Sequence, residues 1–252
     1  MTGPGDSGRS RSALDSVRHL GAFFAVETGP LGRRWRPFVE LIDAGPALEE
    51  RIDATAAALA SMLGVTVDAI DARAAMSLAH LNLVARLLSP PLAAAAVAGY
   101  VPPFALENLR WQPVLGGAAP LAYVPPAESD GDTDDLVDAF VANVGDSAII
   151  RLTHAVATLA EARGGISEQV LDGNVASALV TATRLIGDAC SESAARRAVE
   201  LRDGLLATPW LTETFDLDRS RRRSCCLYYR AVQMPAGVVD VSSICGDCVL
   251  RD

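Results

Sequence analysis

The chain has 252 residues, half of them apolar, and a formal net charge of −9. That balance excludes a disordered chain and argues against nucleic acid as a partner unless basic residues are locally concentrated. All 22 basic residues are arginine, a bias with no chemical weight here; alanine is abundant and aromatics are few, which favours close-packed helices over a sheet-rich fold.

Residues Met1 to about Ser12 read as a flexible polar tail with no apolar signal segment. A helix is expected over Ala13 to Val26, then a tight Gly29-Pro30-Leu31-Gly32 turn. Ala47 to Leu63 and Val67 to Leu88 carry apolar residues at helical spacing. Ser89-Pro90-Pro91 is expected to stop the second of these, because proline lacks the donor N–H and constrains its predecessor. Leu92 to Ala98 then reads as a short buried helix. Leu109 to Val124 reads as two short strands around Gly116-Gly117, and a Pro- and Asp-rich linker follows near 125–133. Helices are expected over Asp134 to Val144, Ser147 to Arg163, Gln169 to Cys190 and Ser193 to Ala207, with Thr208-Pro209 as a stop. The predicted organisation is a mainly α domain over 13–218, with a short β or irregular middle segment and a small C-terminal cysteine-rich appendix over 219–252.

The apolar run from Leu92 to Tyr100, about ten residues between prolines, is too short to cross a bilayer. A cytoplasmic location is therefore expected, with no integral membrane segment, and docking at a membrane surface is left open. In the cytoplasm clustered cysteines more often bind metal or carry redox chemistry than form disulfides.

Four of the five cysteines, Cys225, Cys226, Cys245 and Cys248, lie in the last 28 residues. Thiolates are soft ligands that select zinc, copper(I) or iron–sulfur centres over magnesium or calcium. In Cys245-Gly246-Asp247-Cys248 the glycine eases the turn that aims both sulfurs at one centre. The adjacent pair Cys225-Cys226 can do so only if the backbone kinks, since neighbouring side chains of an extended chain point apart. A four-cysteine [2Fe–2S] centre, a structural zinc knuckle and a redox-active CxxC with two incidental cysteines all fit the residue types, and spacing alone does not choose between the first two.

Arg222-Arg-Ser-Cys-Cys-Leu-Tyr-Tyr-Arg230 and Cys245-Gly-Asp-Cys-Val-Leu250 closely resemble the C-terminal signature of the FhuF-like siderophore-iron reductases. Gly173-Asn-Val-Ala-Ser-Ala-Leu179 with Thr183-Arg-Leu185 resembles that family's Gly-Asn-x-x-Ser-Ala-Leu helix. His80-Leu-Asn-Leu-Val-Ala-Arg-Leu-Leu-Ser-Pro-Pro91 resembles its mid-chain helix ending in proline. The likeness covers about residues 75–252. It implies a [2Fe–2S] cluster on the four cysteines, passing one electron to ferric iron held by a siderophore in the cytoplasm. Siderophores present hard oxygen donors that match Fe(III) and hold Fe(II) far more weakly, so reduction alone releases the metal. The chain departs from the family in one respect: eighteen residues separate its cysteine pairs, against about ten usual there. The extra length falls within Ala231 to Ser243, where Val238-Val-Asp-Val241 suggests a longer hairpin.

Around the cysteines, Arg219, Arg221, Arg222 and Arg223 would stabilise a reduced anionic centre, or draw in an anionic ferric siderophore or an acidic electron donor, or form a solvated charge run. Tyr228 and Tyr229 either shield the centre or simply pack the appendix. Asn174 and Ser177 are read foremost as helix capping near Gly173, with hydrogen bonds to the cysteine segment as the alternative. Cys190 reads as a small buried hydrophobe. His19, His80 and His154 show no ligand spacing and are read as structural or surface groups. No dinucleotide fingerprint or P-loop is present, so an outside electron donor is implied, ferredoxin-like or an NAD(P)H-linked reductase. The rival readings are a zinc-stabilised binding or regulatory protein and an iron–sulfur carrier or sensor with no siderophore site.

Overall fold

A computed structural model of the protein describes residues 6–42, 45–126, 135–231 and 245–250. The fold is mainly α. Its helices are α1 (Asp6–Val17), α2 (Pro46–Leu63), α3 (Ala72–Ala98), α4 (Leu136–Phe140), α5 (Ile150–Glu161), α6 (Glu168–Ala189) and α7 (Glu192–Leu206). The middle segment is strand-forming as expected. β1 (Arg36–Pro37), β2 (Leu109–Trp111) and β3 (Leu121–Tyr123) make a small antiparallel sheet in that order. A second, two-stranded sheet of β4 (Phe215–Asp216) and β5 (Arg221–Arg222) opens the cysteine appendix.

α3 is the axis of the molecule. It packs most extensively on α6 and also touches α1, α2, α5 and α7. Asp71 caps its start, its Oδ1 accepting from the N–H groups of Arg73 at 2.8 Å and Ala74 at 3.1 Å, which satisfies two of the donors a helix start leaves open. Its end is closed by Gly99 in the left-handed region at φ 63°. Between these caps the helix runs straight through Pro90 and Pro91, where the sequence predicts a stop. Each proline lacks the N–H that would reach back four residues, yet every residue from Arg86 to Ala96 is buried. Packing on all sides outweighs the propensity penalty. α3 thereby gains the length and composition of a membrane span, although most of it is packed inside the protein.

Further boundaries differ from the sequence reading: Val67–Ala69, expected to open the long helix, forms a separate 3-10 turn, and α3 begins at Ala72. α1 begins at Asp6, not near Ala13, because its buried face already starts at Ser10, whose hydroxyl lies 3.0 Å from the Tyr100 hydroxyl. It ends at Val17, before Gly21. The expected break around Gly145-Asp146 is absent: a π-helical stretch, Val141–Ile149, joins α4 to α5 without interruption. Gly145 faces Trp210 there, and a Cβ at that position would lie 3.7 Å from the indole. Of the linker near 125–133, only Pro125 and Pro126 fall within the described residues, and the hairpin proposed for Ala231 to Ser243 lies outside them beyond Ala231.

Arg86, 1% exposed, fastens the loop after α1 to the middle segment. Its guanidinium donates to the carbonyls of Ala22 at 2.8 Å, Phe23, Ala25 at 2.7 Å and Ala119 at 2.8 Å. Burial pulls its pKa down to about 10, which leaves the group charged near neutral pH.

Candidate metal centre

The β4–β5 hairpin sets the first half of the cysteine arm. Pairing of Phe215 with Arg222 and of Asp216 with Arg221 turns the Arg222 side chain inward, and Arg222 is 1% exposed. The chain then crosses α6 at Gly173. A Cβ on that glycine would lie 2.1 Å from Ser224 Oγ, so any larger residue there must turn the Ser224 hydroxyl out of its present position. Directly after the paired cysteines, Leu227 takes φ 65° in the left-handed region. The chain therefore turns sharply just after the pair.

The second half, Cys245 to Leu250, lies against the first. Arg222 N–H donates to the Asp247 carbonyl at 3.0 Å, and Arg222 Nε lies 3.3 Å from Asp247 Oδ2 in an ion pair. Asn174 and Ser177, one turn apart on α6, hold both halves. Asn174 Oδ1 accepts from Arg222 Nη1 at 2.9 Å, and the Ser177 hydroxyl donates to Asp247 Oδ2. They are therefore not caps, as the sequence suggested; they lie well inside α6 and are aimed at the cysteine arm.

Behind Asn174 the polar chain continues into the core. Its amide nitrogen lies 3.0 Å from the Ser77 carbonyl, 3.1 Å from Ser77 Oγ and 3.4 Å from His80 Nδ1. The Thr153 hydroxyl donates to the Ile149 carbonyl, so it accepts from His80 Nε2 at 3.0 Å. Nδ1 is then the acceptor for Asn174, and the imidazole is neutral. Complete burial drives the His80 pKa down to about 3. His80 is thus structural, as read from sequence, but it orients the residue that holds the cysteine arm.

Thiols from the two halves of the arm meet. All four are free, and Cys226 and Cys248 are buried. Cys226 Sγ and Cys245 Sγ lie 3.4 Å apart. Cys225 lies within hydrogen-bond reach of Cys226. Sulfurs also take backbone N–H groups from two residues on. Leu227 N–H donates to Cys225 at 3.3 Å, Leu250 N–H to Cys248 at 3.4 Å, and Tyr228 N–H to Cys226. Hydrogen bonds of this kind stabilise thiolate charge and tune metal centres. Hydrogen bonding with the Cys225 and Cys245 thiols, then the positive charge of Arg222, pulls the Cys226 pKa down. The same hydrogen bonding pushes the Cys225 and Cys245 pKa values up. Among the described residues no three His, Cys, Asp or Glu side chains surround a single point as ligands of one ion.

The remaining predicted residues separate. Arg221 lies on β5, and Arg223 is exposed with its N–H on the Thr214 carbonyl at 2.9 Å. Arg219 closes the hairpin, its N–H on Asp216 Oδ1 at 3.0 Å. Of the arginine run, Arg222 is the member whose charge acts on Cys226 and Cys245. Tyr228 packs half-buried against the core. The Tyr229 hydroxyl accepts from Arg230 Nε at 2.7 Å, and that guanidinium lies 5.3 Å from the Tyr229 ring. Cys190 is half-buried and ends α6, and burial raises its pKa.

Sequence reasoning missed a cavity of about 550 Å³ beside the arm, lined by His154, Glu168, Asp172, Trp210, Arg223 and Ser224 among others. Ser224 Oγ and Trp210 Nε1 are buried there with no hydrogen-bond partner among the described residues. Burial, then the charge of Glu168, raise the Asp172 carboxyl to about 6, while His154 pulls it the other way. Glu168 and Asp172 are four apart on α6, immediately before Gly173, and that spacing was the available signal. Comparison of the chain with family models, with curated proteins and with solved structures returns no match.

Proposed function

We propose that the protein is a cytoplasmic ferric-siderophore reductase of the FhuF-like kind. In this reading Cys225, Cys226, Cys245 and Cys248 hold a [2Fe–2S] cluster, which when bound supplies one electron per cycle. The observation that carries it is the meeting of free thiols from two chain segments, Cys226 with Cys245, while Cys225 and Cys248 on the same segments take backbone N–H groups. The soft donor set fits the group. A lone zinc ion needs four ligands about one point at about 2.3 Å, whereas two irons divide the thiolates into pairs. The close Cys226–Cys245 pair, 3.4 Å apart, is compatible with either centre, and the metal and spectroscopic assay below separates the two.

The chain's own residues have definable tasks. Arg222 places a fixed positive charge beside the thiolates, which favours the more negative reduced form, and Asn174 and Asp247 fix that guanidinium. The cavity lined by Ser224 and Arg223 lies one residue from Cys225, and a ferric chelate seated in it is within electron-transfer reach. Asp172, raised to about 6, holds a proton in mildly acidic conditions and can pass it to a chelate oxygen as Fe(III) becomes Fe(II). Iron then leaves and the siderophore is conserved. The outside donor is ferredoxin-like or an NAD(P)H-linked reductase.

Anaerobically purified protein is expected to carry about two irons per chain and to gain an S = 1/2 signal with dithionite. Ferric siderophore should reoxidise it in a single turnover. Cys245→Ser should lose both the visible absorbance and the reductase activity. One zinc per chain with no paramagnetic signal would overturn the reading, and so would full activity in Cys245→Ser.

A further inference from the structure

Three arginines lie in the core, and each is satisfied differently. Arg222 faces the Asp247 carboxylate. Arg86 gives its hydrogen atoms to four backbone carbonyls. Arg51, 4% exposed, has one partner, the Val114 carbonyl at 2.7 Å, and its Nε is buried with no partner among the described residues. Neighbouring acids on α2 are committed elsewhere: Glu50 pairs with Arg36 at 3.2 Å and Glu49 with Arg163 at 3.2 Å. A buried guanidinium without a counter-charge is costly.

Arg51 lies in the wall of a recess of about 240 Å³ between α2, α3 and the loop from β2 to β3. Leu59, Met62, Leu78 and Leu115 make its apolar sides. Gly116 brings the loop against α2, where a Cβ would lie 3.3 Å from that of Ala58. Asn82, whose Nδ2 donates to the Gly117 carbonyl at 3.0 Å, also lines the recess and leaves Oδ1 buried without a partner. Tyr228, just after the cysteine pair, closes one end.

We infer that this recess is a binding site for a small aliphatic carboxylate, its anionic head on Arg51 and its body along the leucine and methionine wall. One cation and an apolar surround suit a monoanion with a hydrocarbon body better than a multiply charged oxyanion, which needs several donors. The site is separate from the cavity beside Ser224 and stands whatever the cysteines hold.

The purified protein with its centre intact is titrated with sodium octanoate, octan-1-ol and inorganic phosphate, followed by calorimetry and by two-dimensional NMR. Octanoate is expected to bind and to shift the signals of Met62, Leu115 and Tyr228, with octan-1-ol at least tenfold weaker. Arg51→Met should lose octanoate at least tenfold while its melting temperature holds or rises, because the variant removes an unpaired buried charge. A purely structural Arg51 would lower the melting temperature and leave octanoate affinity unchanged, which overturns the inference. Binding of phosphate but not octanoate also overturns it, as does binding of neither. Leu115→Glu, on the exposed loop, places a repelling carboxylate at the mouth and should weaken octanoate at least tenfold even if Arg51→Met fails to fold.

Discussion

The two halves of α3 are built on opposite terms. From Leu87 to Ala96 the helix is buried and, Ser89 apart, apolar, and it absorbs two consecutive prolines. From Ser77 to His80 it buries a serine and a histidine whose atoms feed a hydrogen-bonded chain ending at Arg222 beside the thiols. The first half depends on shape and volume and is forgiving of residue type. The second depends on each donor meeting its acceptor, and a single mismatch travels to the cysteine arm.

The sharpest way to separate the halves is pH. His80 is depressed in the folded protein to about 3, against 6.5 when unfolded. Its contribution is fully present above about 6.5 and is lost as pH falls toward 3, at up to about 1.4 kcal/mol per pH unit. Asp172, raised from 3.8 to about 6, acts in the opposite sense: its contribution is present below about 4 and is lost as pH rises through 6. Denaturant unfolding at successive pH values should show the steeper acid slope flatten in His80→Gln, and steepen between about 4 and 6 in Asp172→Asn.

Next in size is a matched pair of truncations. Asn174→Ala leaves part of the buried Arg222 fork and His80 Nδ1 unpaired, at a cost of about 3 kcal/mol. Leu92→Ala in the apolar half costs a similar amount, about 3 kcal/mol, through its cavity. Under the proposed function the two should also differ in metal per chain: lost in Asn174→Ala, unchanged in Leu92→Ala.

The smallest effect tests how forgiving the apolar half is. Pro90→Ala restores an N–H facing the Arg86 carbonyl and should change stability by less than about 1 kcal/mol in either direction, seen as a small shift in melting temperature.

Legibility in the sequence follows the same division. Helices with clear periodicity stand near their expected limits, as with α2, α6 and α7, because one amphipathic face suffices to specify them. Where burial is all-round, as at Pro90-Pro91, local propensity misleads. The cysteines announced themselves by type and spacing. The clamp that gathers them did not, because Asn174 meets Arg222 across 48 positions and Ser177 meets Asp247 across 70. Gly173 looked like a capping signal and is instead the clearance for Ser224. The orphaned Nε of Arg51 has no local signature at all, since it depends on where every neighbouring carboxylate goes.

The last feature concerns spacing between the cysteine pairs. The Ala231 carbonyl accepts the N–H of Asp71 at 3.0 Å, at the foot of α3, and Asp247 is tied to α6 and Arg222. Both ends of the intervening stretch are thus moored to the helical frame independently of what joins them. Lengthening such a closure from about ten to eighteen residues costs only about 0.5 kcal/mol of entropy. On this chain-closure argument the length of the interval has little bearing on where Cys226 and Cys245 sit.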